Sequence, residues 1–217
     1  MDFQAARRHM VDNQVRTNDV PNLRLQKAME ETPRELFLPA DLRGQAYVER
    51  ELEYAPGRRM LTPRDFAKLV AAADPVPGDL VLDVACGAGY STAILAELAE
   101  MVVATEKDEA LAAAAQENLA TLGVANAAVV AGDPWAGAPE QGPYDVIFVG
   151  AAIEREPEAL LVQLKDGGRL AAIMKIDGVS KGVIYRKSGE ACSPHVVFSA
   201  TATRILPGFE AARGFRF

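Results

Sequence analysis

The sequence predicts an α/β fold: a mostly parallel open sheet with helices on both faces, closed by an antiparallel C-terminal hairpin and preceded by N-terminal helices. Three observations predict it. From residue 79 onward, apolar runs of strand length alternate with longer helical segments, the order of a parallel sheet covered on both sides. A glycine turn, "ACGAGY", joins the first of those strands to its helix. The tail carries two strand-like runs about a Ser-Gly-Glu turn.

Residues 1–75 read as helices broken by turns. "FQAARRHMVDNQVR" puts Phe3, Ala6, Met10 and Val11 on one helical face. "PNLRLQKAMEET" starts at Pro21, aligns Leu25, Ala28 and Met29, and stops at "TPRELFLP". "GQAYVERELEYAPGRRM" reads as a loop. "TPRDFAKLVAAADPVPG" reads as a helix with Pro63 at its first position and Pro75 and Pro77 beyond its end.

Residues 76–178 form a βα core. Its strands are "LVLDVA", "MVVATE", "NAAVVAGD", "YDVIFVGAA" and, after an Asp-Gly-Gly turn, "GRLAAIM". Its helices are "GYSTAILAELA", the Ala-rich "DEALAAAAQENLATLG" ending at Gly123, and "PEALLVQLK". Residues 179–217 supply the closing strands. With no repeat or low-complexity linker, 1–217 reads as one domain.

Composition narrows the function. A net charge of −7 and a pI near 5.0 lack the basic face that nucleic acid requires. The pairs Arg7-Arg8 and Arg58-Arg59 read as solvated surface, the alternative being that one of them holds a single anion. Cys86 and Cys192 form no CxxC, and with only His9 and His195 no metal-ligand spacing exists. His195 reads as a structural strand residue. The N-terminus lacks a signal-peptide core, and no apolar run approaches the ~18 residues of a membrane span. A soluble, cytoplasmic protein is expected, without membrane or nucleic-acid partner and monomeric or weakly dimeric.

In an open parallel sheet, ligands bind beyond the carboxyl ends of the strands. Gly87 and Gly89 give a tight turn that lets a ligand approach the backbone and the N-terminus of the next helix. Ala85 and Cys86 belong to the same loop. Asp83, two residues before it, offers a carboxylate to a ligand ammonium group. Glu106 ends the second strand, where a carboxylate accepts from both ribose hydroxyls; the alternative is charge compensation of the helix that follows. Lys107 adjoins it. Gly132, Asp133 and Pro134 end the third strand, where a base edge would lie. Trp135 either flanks that base or covers the sheet end. A ribose, a base and a cationic amine together describe S-adenosyl-L-methionine. A dinucleotide fits less well: G-x-G-x-x-G would read Gly87, Gly89 and Thr92, and Asp83 would repel a pyrophosphate.

"VLDVACGAGY" followed by Glu106 resembles the Rossmann-like class I methyltransferases that use S-adenosylmethionine. "MVDNQVR", "LQKAMEETPRELFLPADLRGQAY", "YSTAILAEL", "AGDPWAGAPEQGPYDVIFVGAA", "LLVQLKDGGRLAAI" and "RILPGF" narrow the resemblance to the protein-L-isoaspartate O-methyltransferases, over nearly the whole chain. The resemblance implies methyl esterification of isoaspartyl carboxylates in damaged proteins, with a protein or peptide as substrate. It also marks three departures. Ala85 stands where the family has glycine. Gly150, followed by Ala151 at the substrate side, stands where a hydroxyl residue is usual. Counting back from Pro63 in the family's T-I-S-Q-P opener puts Leu61 at the functional serine and Thr62 at the glutamine.

Two readings of Thr62 follow. "Thr62-Pro63-Arg64-Asp65" matches a helix-capping pattern. Shifted by one residue, the Thr62 hydroxyl would instead stand in for the serine as the catalytic group. The departures leave two alternatives to the isoaspartyl reading: a different acceptor on the same fold, or a cofactor-binding protein with impaired catalysis.

Overall fold

The Asp2 carboxylate caps the first helix, accepting from the Ala5 N–H at 3.0 Å. That helix, α1 (Phe3–Met10), continues through a π-helical turn over Val11–Val15 and a short 3₁₀ turn, burying Met10, Val11 and Val15. Asn22 caps α2 (Leu23–Glu31), which buries Leu25, Ala28 and Met29. The computed structural model describes residues 2–211, so the last six residues of the expected C-terminal segment lie outside the described residues.

The stretch expected as a loop contains a hairpin instead. β1 (Leu52–Ala55) pairs antiparallel with β2 (Arg58–Met60) about Pro56 and Gly57, the glycine turning at φ 73°. Leu52 faces inward while Glu53 and Arg59 pair across the outer side, 2.9 Å apart. Helix α3 (Pro63–Ala73) follows directly. Arg169 ties its C-terminal end to the sheet, donating to the Ala73 carbonyl at 2.6 Å and to Asp79 at 2.8 Å.

The main sheet is built from β3 (Leu80–Val84), β4 (Met101–Glu106), β5 (Ala127–Ala131), β6 (Tyr144–Ile153), β7 (Leu164–Ile176), β8 (Val179–Ser188) and β9 (Ala191–Ser199). Its order is β5-β4-β3-β6-β7-β8-β9, parallel as far as β7 and antiparallel beyond. Helices α4 (Tyr90–Ala96), α5 (Glu109–Thr121) and α6 (Glu158–Leu161) connect the strands. The last is shorter than expected: Leu164 already pairs with Tyr144, so the chain joins the sheet before the Asp-Gly-Gly turn. His195 lies exposed on the edge strand β9.

Side chains alternate across the sheet as its two-residue period requires. Val81, Val102, Val146, Phe148 and Ala171 face the N-terminal helices, α3 and α4. Leu82, Val84, Ile147, Val149 and Leu170 face the side covered by α6 and the tail residues Leu206 and Phe209. Chain order reverses between β3 and β6, whose carboxyl ends flank the crevice where ligands of such sheets bind. No described helix is long and apolar enough to cross a membrane.

Candidate active site

The loop from β3 to α4 turns through three left-handed residues: Ala85 at φ 57°, Gly87 at 60° and Gly89 at 97°. Ala85, standing where the family has glycine, adopts the glycine-type conformation at a strain of ~1 kcal/mol. A Cβ on Gly87 would lie 2.4 Å from the Tyr54 hydroxyl, because Tyr54 of β1 lies directly on the loop. Cys86 is buried, which pushes its thiol well above the usual range.

Asp83 is completely buried two residues before this loop. Its Oδ2 accepts from the hydroxyls of Ser91 and Thr92, both at 2.7 Å, while Oδ1 has no partner. Burial raises its pKa to about 7, the two hydroxyls working in the opposite direction. A buried carboxylate with one unpaired oxygen is suited to an incoming cation.

Glu106, also completely buried, is fully engaged. Oε2 accepts from the Gly87 N–H at 2.8 Å; Oε1 accepts from the Lys107 and Asp108 N–H groups at 2.9 and 3.1 Å. The last two bonds are those of the helix-terminus reading. Arg58, on the hairpin, adds a two-pronged contact, 2.8 Å to each oxygen, and donates to the Ala85 carbonyl at 2.8 Å. Burial alone would raise the Glu106 pKa, but Arg58 and the backbone donors hold it below the usual carboxylate range. The expected solvated pair Arg58-Arg59 is thus corrected at Arg58, whose side chain is only 12% exposed.

Three cavities meet here. One of about 40 Å³ is lined by residues including Leu61, Phe66, Cys86, Tyr90, Ser91 and Gly150. A second of about 20 Å³ is bordered by Arg58, Arg59, Gly150, Ala151, Arg204 and Leu206. On the other side of Arg58, one of about 520 Å³ is lined by Glu106, Lys107, Asp133, Pro134 and Pro207. Lys107 and Asp133 form an ion pair of 2.9 Å at its rim. Gly132 lies beneath: a Cβ there would make only ordinary contacts with Thr105 and Gly137. Trp135 covers the sheet end, its ring tilted 59° against that of Phe209 and lying under the Arg155 guanidinium.

Leu61, almost fully buried, faces the first cavity, and its carbonyl accepts from the buried Arg34 at 2.6 Å. Gly150 opposes it; a Cβ there would press on Phe148 at 3.1 Å. Thr62 does not line these cavities. Its Oγ1 accepts from the Asp65 N–H at 3.1 Å, capping α3. The return half of the capping box is absent, because Asp65 reaches the tail and accepts from the Thr201 N–H and hydroxyl at 2.6 and 2.8 Å. Thr62→Ala is accordingly expected to lower stability by ~1 kcal/mol in denaturant unfolding while leaving methyl transfer unchanged. A loss of transfer larger than that stability change explains would give the hydroxyl a catalytic role.

Sequence reasoning missed Arg58, Tyr54 and the tail residues Leu206 and Pro207. Ser91 and Thr92 carry the one signal that was available: hydroxyls in the first turn of the helix after a glycine loop, facing back to the strand.

The comparisons agree with this architecture. The profile of the family described as protein-L-isoaspartate(D-aspartate) O-methyltransferase matches residues 5–196. A protein-L-isoaspartate O-methyltransferase of Synechococcus sp. is 41% identical over 168 residues, covering 77% of this chain and 69% of the relative. One from Methanoculleus marisnigri is 40% identical over 166 residues, covering 76% of each. Among solved structures, a protein-L-isoaspartate O-methyltransferase superimposes with a TM-score of 0.80 at 24% identity, over 95% of this chain and 67% of that one. A Plasmodium falciparum protein described as a putative member of the same group, in complex with S-adenosyl-L-homocysteine, gives 0.78 at 18% identity, over 92% of this chain and 98% of that one. At those identities the structures establish the fold, while the sequence matches establish kinship: the chain belongs to the protein-L-isoaspartate(D-aspartate) O-methyltransferase family.

Proposed function

We propose that the chain transfers the methyl group of S-adenosylmethionine to the carboxylate of isoaspartyl residues in proteins and peptides. The observation that carries this reading is the buried Asp83 carboxylate with one unpaired oxygen, set beside Glu106 at the crevice of a chain that belongs to this family. An ammonium group would satisfy that oxygen, which is why S-adenosylmethionine fits the residues present. On this reading Glu106 accepts from the ribose hydroxyls, and the base occupies the cavity lined by Lys107, Asp133 and Pro134.

The cofactor supplies an already activated methyl group. The protein's task is placement. Leu61, Phe66 and Tyr90 line one side of the cavity beside the glycine loop, and Arg59 and Ser91 add polar groups to it. Arg59 and Arg204 border the neighbouring cavity and favour an anionic acceptor. A carboxylate reacts as the anion it already is: its oxygen takes the methyl, the sulfur keeps the bonding electrons, and no proton moves. Orientation then carries the acceleration, with up to ~7–11 kcal/mol available from that source. The reading includes a cytoplasmic monomer or weak dimer that acts without nucleic acid.

One observation favours a second reading. Leu61 and Gly150 present no side-chain hydroxyl to the acceptor, which suits a different acceptor, or binding without transfer. Repeated turnover separates the two. An isoaspartyl peptide incubated with the protein and S-adenosylmethionine should convert in part to the aspartyl form, through collapse of its methyl ester. Chromatography showing no cofactor-dependent conversion would overturn the isoaspartyl assignment.

A further inference from the structure

We infer that Arg58 is an internal competitor that occupies, on Glu106, the place of the cofactor's ribose hydroxyls, so that cofactor binding requires its displacement. The inference rests on the S-adenosylmethionine reading above and goes beyond it, since it concerns what the protein does before the cofactor arrives.

A vicinal diol and a guanidinium address a carboxylate in the same way, each placing two donors side by side on its two oxygens. Arg58 makes that contact at 2.8 Å and 2.8 Å. Three backbone N–H groups bind Glu106 as well, from Gly87, Lys107 and Asp108. Two carboxylate oxygens offer about four lone-pair directions, and these are already filled. A ribose diol therefore cannot be added to this arrangement; it must replace something. The backbone donors are fixed by the glycine loop and by the turn into α5. Arg58 sits at the tip of a short hairpin and is the movable partner.

The cavities lead to the same conclusion. Arg58 borders both the roomy cavity beside Glu106 and the small one beside Gly150. The cavity on the Ser91 side, about 40 Å³, holds little more than ordered water. Arg58 lies on the boundary between the small cavity beside Gly150 and the larger one that reaches Asp133. The hairpin is seated on this path as one piece: Tyr54 rests on Gly87, and Arg58 reaches over it to the Ala85 carbonyl. Pro207 of the tail approaches Gly57 at the hairpin tip, where a Cβ would lie 3.7 Å from its ring. Displacing Arg58 would join the separate spaces.

A competing internal ligand lowers apparent affinity by the fraction of molecules in which the site is free. Removing it must therefore tighten binding, the reverse of what removing an ordinary supporting residue does. The test is calorimetric titration of S-adenosylhomocysteine into the wild type, Arg58→Gln and Arg58→Lys at one common pH. Arg58→Gln is expected to bind at least about tenfold tighter, with Arg58→Lys, which keeps the charge but loses the fork, in between. Unchanged or weaker binding in a folded variant would overturn the inference and leave Arg58 as a support for Glu106. Should Arg58→Gln fail to fold, the sign of the change in Arg58→Lys decides in the same way. Absence of binding by wild type and variants alike would remove the cofactor reading itself, and the inference with it.

Discussion

Asp83→Asn should make the cofactor-free protein more stable above about pH 7 and at the same time weaken cofactor binding by about tenfold to a hundredfold. The ordinary carboxyl value is 3.8; burial in the fold raises that of Asp83 to about 7, against the pull of Ser91 and Thr92. Between those values the folded chain holds a proton that the unfolded chain has released. Stability is therefore full below the lower value and falls as pH rises through the higher one. Above it the fold carries a buried charge at a cost on the order of 4 kcal/mol. Asparagine removes the charge and can still bond the two hydroxyls. On the proposed reading, an ammonium group at the unpaired Oδ1 would offset that cost in the wild type, and binding would require the ionised form. Affinity should then rise about tenfold per pH unit from about pH 5 up to about pH 7, and this slope should vanish in Asp83→Asn. Thermal unfolding and calorimetric titration across that range check both halves. An identical slope in wild type and variant would place the titrating group elsewhere.

Gly87→Ala should cost about 2–4 kcal/mol, well beyond an ordinary glycine replacement. Its φ of 60° imposes ~1 kcal/mol of left-handed strain on any side chain. The new methyl would also lie 2.4 Å from the Tyr54 hydroxyl and 2.9 Å from its ring carbon, at the end of a rigid side chain. Relief requires the whole hairpin to lift, which draws Arg58 away from Glu106. Gly123→Ala provides the control. Gly123 is equally left-handed, at φ 70°, but a Cβ there meets nothing within 4 Å. Its loss should be strain alone, ~1 kcal/mol. Denaturant midpoints for the two variants separate contact from strain, and equal losses would mean that Tyr54 does not press on the loop.

These two predictions involve one residue that the sequence makes visible and one contact that it conceals. Asp83 and Glu106 were legible because strands of a parallel sheet are continuous apolar runs, and a lone carboxylate inside or at the end of one stands out. The main sheet was legible for the same reason. The hairpin was not: β1 and β2 are four and three residues long, carry Glu53, Arg58 and Arg59, and pair only with each other, so no apolar alternation marks them. Arg58 was hidden by its neighbour, since two adjacent arginines in an acidic chain read as surface. Only the Gly57 turn sends the first inward to Glu106 while Arg59 stays on the outer side with Glu51 and Glu53. The early end of α6 was hidden too, because the pairing of Leu164 with Tyr144 is a long-range contact that helical periodicity cannot register.

Leu61 is where family membership and local chemistry pull apart. The fold places an apolar side chain, not a hydroxyl, against the cavity beside the glycine loop, with Thr62 committed to the cap of α3. If placement alone suffices, transfer survives without that hydroxyl. Methyl-labelled S-adenosylmethionine with an isoaspartyl peptide, and the matched aspartyl peptide as control, measures this directly. The account predicts base-labile label on the isoaspartyl peptide alone. Cofactor binding without label on that peptide, or equal labelling of both, would contradict it.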